Sequence, residues 1–312
     1  MNLYIGGAYQ GKLALVRRIV PEGALRYCRA DCPVLEHSGK GISGLHLWIR
    51  AALEAGRSPQ EEIRRMLPAL RGQYILCDQL GSGIVPLTPE ERRWREETGR
   101  VLQLLAKEAD EVTEVLAGIP RRLLLRQELL LLRHGLTAEG QAHRYCGSSD
   151  PPLCPEGRAE LRPLPLPERC FSSPSRRALE TAGLVFPGLE PEQLPALAEC
   201  GFGAFEGRTY QELRDLPAYQ SWIQDESGEA APPGGESRNR HRARAQEALA
   251  QILCLAGDAR RIAAVSHGGT IVRMMEALFP GQGDFYQWQP SCGGGWVVRL
   301  ENGQPVSRAP LE

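Results

Sequence analysis

Two histidines close apolar runs in this chain. His134 follows four leucines and Arg133 in LLLLRHGLT, Leu129–Thr137, and His267 follows RIAAVS and precedes two glycines. Between them lie Arg176 and Arg177 in SSPSRRALETA, and Glu199 in LAECGFGAFEG. These residue types in this order suit phosphoryl transfer. A guanidinium fork matches phosphate oxygens bidentately. A neutral imidazole can attack phosphorus and hold the phosphoryl group covalently, and guanidinium charges beside His134 disfavour the imidazolium that would block attack. A second, protonatable histidine, His267, can stabilise charge on the transferring oxygens. The leaving alkoxide needs a proton, and Glu199 is the carboxylic acid placed to give it. No metal is required by this chemistry, and no HxH pair or carboxylate cluster suggests one.

A second constellation opens the chain. GGAYQGKL fits GxxxxGK from Gly6 through Gly7 and Gly11 to Lys12, after an apolar strand and before a helix. Glycines let backbone N–H groups turn toward phosphate, and a helix start favours the anion. Lys12 is one of only three lysines, with Lys40 and Lys107. The next position is Leu13, where a serine or threonine would reach magnesium, and leucine cannot ligate a hard cation. Asp78, ending YILCD, is placed to approach a metal from a neighbouring strand.

The elements that position these groups alternate. In the first half, NLYIGG, QYILCD and TEVLAG read as strands and KLALVRRIV as a helix. SPQEEIRRML reads as a helix with a capping box at Ser58 and Glu61 and proline at the first turn. PEERRWREETGRVLQLLAKEADEV reads as a long amphipathic helix. IPRRLLLRQE carries the chain into a new strand at Leu129, which places a boundary near residue 124. The second half has strands expected at Glu128–Arg133, Arg169–Ser172, Arg261–Ser266 and Gly295–Leu300, and helices at Pro174–Gly183, Glu236–Ala256 and Gly269–Phe279. Such alternation argues for α/β layers in both halves, 1–124 and 125–312. Reacting groups gather where strands of open α/β sheets end, and Arg133, His134, Ser266 and His267 sit at such ends. DESGEAAPPGGES is a polar loop expected to be mobile or lid-like.

Bulk composition narrows the function classes. The chain has 312 residues, enough for two domains. A net charge of −1 gives no field for nucleic acid. No apolar run approaches the length of a membrane span, and the opening MNLYIGGAYQGK lacks a basic start with a long apolar stretch. The nine cysteines form no framework. Cys28 and Cys32 have no second pair at zinc spacing, so free thiols in a reducing cytoplasm are expected. His37 and His241 are expected at the surface, with Arg176 as the solvated neighbour of Arg177.

Five motifs of the second half, taken together, resemble the histidine phosphatase superfamily with its phosphoglycerate-mutase-like fold. RHGLT is similar to its RHGxT signature, SSPSRRALETA to SSPxxRAxxTA, LAECGFGAFEG to LxExxFGxxEG, and GGES and SHGG complete the set over about 180 residues. The resemblance implies a three-layer α/β/α domain without cofactor. It also implies catalytic roles for Arg133, His134, Arg177, Glu199 and His267, and substrate contacts from Thr137 and Gly268. Gly140 departs from the asparagine often found six residues after the first histidine. RYCGSSDPPLCPEG is similar to the α-ribazole phosphatase branch, though it also resembles mutases, and His143 and Arg144, in QAHRYCGSSD, are expected at the substrate entrance.

The first half resembles adenosylcobinamide kinase/guanylyltransferases, of P-loop NTPase-like fold. GGAYQGK is similar to GGxRSGK, and CDQLGSGIVPLTPEERRWREETGRVLQLLAKEADEVTEVLAGIP to a long block of that family. The resemblance implies GTP or ATP with magnesium at Gly6, Gly7, Gly11, Lys12 and Asp78. Gln79 replaces the block's usual glutamate, and the half is shorter than the family's domain. His46, in GLHLWIR, is either the nucleotide-accepting histidine or a packing residue of its helix. Joined, the two resemblances imply dephosphorylation of α-ribazole 5′-phosphate or adenosylcobalamin 5′-phosphate. A broad phosphatase and a mutase remain alternatives. The first half is either a nucleotide- or cobinamide-binding module or an active transferase, and an oligomer is compatible with both.

Overall fold

Four consecutive leucines suit a strand covered on both faces, and the computed structural model shows this arrangement, with Leu129, Leu131 and Leu132 buried and Leu130 half-buried. It describes residues 1–81 and 86–311, so residues 82–85 of the CDQLGSGIVP block lie outside the described residues. The chain divides into a unit Met1–Arg126 and a second unit from Gln127 onward.

In the first unit, strands β1 (Asn2–Gly6), β2 (Leu25–Tyr27), β3 (Gly41–Ser43), β4 (Tyr74–Asp78) and β5 (Glu111–Leu116) run parallel in the order β2-β3-β4-β1-β5. Leu3, Ile5, Ile42, Ile75 and Cys77 face one core, shared with helices α2 (Leu45–Glu54), α3 (Pro59–Met66) and α4 (Pro89–Glu108). Tyr4, Leu76 and Val115 face the other, where Val16 of the short α1 (Lys12–Val16) packs. The helix expected over KLALVRRIV thus lasts five residues. The capping box expected at Ser58 is not formed: Ser58 stands at the N-cap and Pro59 in the first turn, but the hydroxyl accepts no bond.

The expected break before Leu129 is also absent. β6 runs Ile119–Arg133, pairing antiparallel with β5 as far as Leu125 and parallel with a later strand from Glu128. A tight turn at Ala117 (φ 51°) and Gly118 (φ 80°) returns β5 into β6, the backbone hand that two-residue hairpins favour. Pro120 lies within β6 opposite Val115.

The second unit adds β7 (Arg169–Ser172), β8 (Glu192–Gln193), β9 (Arg261–Ser266), β10 (Gly295–Glu301) and β11 (Gln304–Pro310), ordered β6-β9-β7-β8, with β10 beside β6 and β11. Its helices are α5 (Ala138–Gln141), α6 (Pro155–Glu160), α7 (Arg176–Val185), α8 (Tyr210–Leu213), α9 (Pro217–Ile223), α10 (Arg238–Ala256), α11 (Gly268–Leu278) and α12 (Phe285–Trp288). Leu129 and Leu131 face α10 and α11, whereas Leu130 and Leu132 face α7. Helix α7 begins two residues later than expected, because Ser175 is its N-cap. Helix α10 does likewise, because the Ser237 hydroxyl accepts the Arg240 N–H.

Candidate active site

The parallel pairing of β6 and β9 sets Arg133 opposite Ser266, so the two histidines that follow emerge side by side. The His134 N–H donates to the Ser266 carbonyl at 3.0 Å, and the imidazole centroids of His134 and His267 are 5.1 Å apart at 64°. Nδ1 of His134 lies 2.7 Å from the Gly135 carbonyl oxygen. That oxygen can only accept, so Nδ1 carries the proton of the neutral ring and Nε2 keeps its lone pair. His134 is only 9% exposed. Burial, then the Arg177 charge, then that of Arg133 push its pKa down to about 3. The arginine charges therefore act as the sequence suggests, but burial is the larger cause.

His267 is buried, with Nε2 at 2.8 Å from the Ser173 hydroxyl and Nδ1 bonded to nothing among the described residues. Burial first, then His134 and Arg177, hold its pKa well below that of a free imidazole. Burial thus favours the neutral form of this second histidine in the free protein.

Arg177 is completely buried. Its Nη1 donates to the Ser149 carbonyl at 2.6 Å and its Nη2 to that of Gly147 at 2.9 Å, while Nε has no partner. That loop is fixed from its other side by Glu206, which accepts the N–H groups of Gly147, Ser148 and Ser149. Burial works against the Glu206 carboxylate, but the Ser149 hydroxyl and the backbone N–H groups hold its pKa below the usual value. Arg133 donates through Nη1 to the Pro290 carbonyl at 2.8 Å, and no carboxylate among the described residues pairs with it. Arg176 is solvated and bonded to Glu180.

Glu199 reaches the start of α11. Its Oε2 accepts the Gly269 N–H at 2.9 Å and its Oε1 the Cys200 N–H at 2.9 Å. A Cβ on Gly269 would stand 2.7 Å from Glu199 Oε1, and one on Gly268 3.3 Å from the Arg133 guanidinium. The two glycines of SHGG therefore make room for one acidic and one basic side chain. Thr137 caps α5, accepting the Gly140 N–H at 3.1 Å, and Arg144 donates to the Gly207 carbonyl and to Glu212.

His241 was expected at the surface; it is buried, with Nε2 3.0 Å from the Thr270 hydroxyl and 3.6 Å from Glu199 Oε1. Thr270 donates to the Ala198 carbonyl at 2.8 Å, so His241 Nε2–H donates to Thr270. The missed signal is periodic: His241, Ala245, Ala248 and Ile252 form the inward stripe of α10. Glu206 was within a recognised motif but had no assigned role.

In front of these groups lies a cavity of about 710 Å³, lined among others by Arg133, His134, Thr137, Glu199 and His241. Trp222, Phe202, Tyr145 and Arg144 also line it, as do Glu226–Gly228 of the polar loop. That loop is internally bonded: Asp225 accepts the N–H groups of Ser227 and Ala230, and Asn239 donates to the Ser227 carbonyl. Arg177 and His267 lie outside the lining.

In the first unit, Gly6 ends β1 and Lys12 opens α1, with Gly7 and Gly11 (φ 94°) in the loop between them. Its Gln10 accepts the N–H groups of Ala117 and Gly118 at the hairpin turn. Lys12 is 7% exposed. Its Nζ contacts the Gly6 and Gly7 carbonyls at 3.0 and 2.6 Å and Asp78 Oδ1 at 2.7 Å. His46 accepts the Asp78 N–H at Nδ1 and faces Asp78 Oδ2 at 3.6 Å through Nε2. Burial is the main cause of its lowered pKa, opposed by Asp78. A lysine and glycines fit a nucleotide's phosphates, but Leu13 offers magnesium no oxygen.

Comparison with known proteins matches residues 129–308 to the histidine phosphatase superfamily (branch 1) and residues 42–123 to cobinamide kinase / cobinamide phosphate guanyltransferase. A protein of Mycobacterium tuberculosis named as bifunctional is 33% identical over 182 residues, 54% of this chain and 48% of that protein. The chain thus spans about half the length of the first curated relatives it matches. An acid phosphatase of the same organism is 36% identical over 150 residues, 45% of this chain and 70% of that one. The crystal structure of an α-ribazole phosphatase from Shigella flexneri shares the fold, with TM-score 0.53 and 24% identity over 60% of this chain and 96% of that one. A phosphoserine phosphatase from Entamoeba histolytica shares it equally, with TM-score 0.53 and 23% identity over 60% and 97%.

Proposed function

The chain belongs to the histidine phosphatase superfamily, and from that premise we propose that it hydrolyses a phosphomonoester through a phosphohistidine at His134. The observation that carries this is the free Nε2 lone pair of a buried, neutral His134 beside two arginines. Nε2 attacks phosphorus and the bond to the ester oxygen breaks. Arg133 and Arg177 bind the phosphoryl oxygens, and His267 Nδ1, which lacks a partner, gains one from them. Glu199 gives its proton to the leaving oxygen, then takes one from the water that splits the phosphorus–nitrogen bond. Thr137, Gly268 and Arg144 border the substrate.

The substrate we propose is α-ribazole 5′-phosphate or adenosylcobalamin 5′-phosphate. Support comes from the union, in one chain, of this fold with a stretch matching a cobinamide kinase family. The test is phosphate release from α-ribazole 5′-phosphate against 3-phosphoglycerate and phosphoserine, in EDTA. A preference of about a hundredfold in kcat/KM, roughly 2.7 kcal/mol of transition-state discrimination, is expected. Equal release from all three removes the assignment. It favours the second reading, a broad phosphatase, which the acid phosphatase relative supports.

The first unit we read as a nucleotide- or cobinamide-binding module without transfer activity, since Asp78 neutralises Lys12 and Leu13 replaces the metal-binding hydroxyl. Turnover of adenosylcobinamide with GTP and magnesium would overturn this.

A further inference from the structure

The cavity facing His134 holds more guanidinium groups than one phosphate needs. Arg238 and Arg242, one turn apart on α10, and Arg273 on α11 line it, apart from Arg133 and Arg144. Their counter-ions are too few. Glu276 serves two of them, accepting from Arg273 Nη1 at 2.8 Å through both oxygens and standing 3.7 Å from Arg242 Nε. Asp225 stands 3.7 Å from Arg238 Nη2, beyond hydrogen-bond distance. Glu226, exposed at the cavity, bonds to none of the three.

Arg273 is 9% exposed, and its Nε has no hydrogen-bond partner. Nε and Nη2 of Arg238 are likewise buried without one. Arg273 also lies over the Phe285 ring, 5.6 Å from its centroid, a contact that suits a planar cation. Buried donors without acceptors are costly, and an oxyanion supplies acceptors in the fork geometry that guanidinium matches. Arg144, by contrast, is exposed and already bonded to Gly207 and Glu212.

We propose that Arg238, Arg242 and Arg273 form a second oxyanion subsite, so that a phosphomonoester whose alcohol portion carries a further phosphate or carboxylate binds more tightly than one without; of the two esters proposed above, this favours adenosylcobalamin 5′-phosphate, which carries a phosphodiester. This rests on the reading that the ester is hydrolysed at His134. The reacting phosphate meets His134, and the second anion anchors the leaving group beside α10 and α11. Binding energy there orients the ester bond for attack.

The test separates binding from turnover. His134→Ala protein is titrated calorimetrically with two ligand pairs that differ by one oxyanion: adenosine 5′-monophosphate against adenosine 3′,5′-bisphosphate, and glycerol 3-phosphate against 3-phosphoglycerate. At least one doubly anionic ligand should bind about tenfold or more tighter than its partner. The first pair reports a phosphate and the second a carboxylate. Adding Arg273→Gln, or the more exposed Arg238→Gln if the former does not fold, should bring that ratio below about threefold. Ratios near one in both pairs, or a ratio unmoved by either substitution, overturn the subsite. Phosphate release by the unsubstituted protein is measured on the same compounds. Its absence beside an intact binding ratio would overturn the hydrolytic reading and leave the subsite standing.

Discussion

The two units each place cationic side chains beside a loop at a strand end, yet they treat the charge in opposite ways. In the first, Lys12 has its ammonium on two carbonyls and on Asp78, which in turn faces His46. In the second, Arg133 meets no carboxylate among the described residues, Arg177 spends two nitrogens on backbone carbonyls with only the half-exposed Asp150 at 3.8 Å from its Nη1, and each keeps an Nε without a partner. A group that must attract an anion works best when its field is not already cancelled. By that criterion the second unit is prepared for phosphate, and the first is closed on itself.

The sharpest way to break this comparison is to remove the nucleophile. His134→Ala should lower kcat for phosphate release by about 10⁴-fold or more, as loss of one member of a catalytic unit does. Residual turnover near the original rate would remove His134 from its role. Next comes the acid. Glu199→Gln should lower kcat/KM, which reports the step that expels the alcohol, by about 10²–10⁴-fold on an alkyl phosphate, and much less on p-nitrophenyl phosphate, whose leaving group needs no proton. Equal losses on both esters would make Glu199 structural.

These two predictions draw on residues that the sequence already exposed, because the chemistry demands fixed types at strand ends. The layering was legible for the same reason: β7 and β9 have the bounds that apolar runs and flanking polar groups imply. What the sequence hid depends on contacts between distant segments. His241 looked like a surface residue in an arginine-rich stretch, RNRHRAR, and only the packing of α10 against α11 brings it to Thr270 and Glu199. The Lys12–Asp78 pair joins residues 66 positions apart by the parallel register of β1 and β4, Gly6 opposite Asp78. The strand β6 hid because a proline and four arginines within Ile119–Arg133 break the apolar pattern.

Acid should weaken the second unit through its neutral histidines. His134, His241 and His267 all have folded pKa values below 6.5, with burial the leading cause. The unfolded chain therefore binds more protons as pH falls below about 6.5, and stability is lost in that direction; for His134 the window extends down to about 3. Each such group contributes a slope of up to about 1.4 kcal/mol per pH unit. Urea midpoints between pH 7 and 5 should fall, less steeply in a His241→Asn variant. A flat midpoint would mean that the imidazoles are charged inside the fold.

The smallest expected effect tests the closed loop of the first unit. Asp78→Asn removes the charge that competes for Lys12, so magnesium-free binding of GTP should tighten by about 3–10-fold. Unchanged or weaker binding by calorimetry would show that the ion pair does not hold the lysine back.

The most direct measurement is of the covalent intermediate itself. The protein is mixed with a phosphatase substrate and quenched in alkali within the first turnover, and its peptides are weighed. A phosphoryl group on the peptide that carries His134, absent from His134→Ala, is the predicted result. Turnover without any phosphorylated peptide, or a phosphoryl group that persists in His134→Ala, would contradict the account.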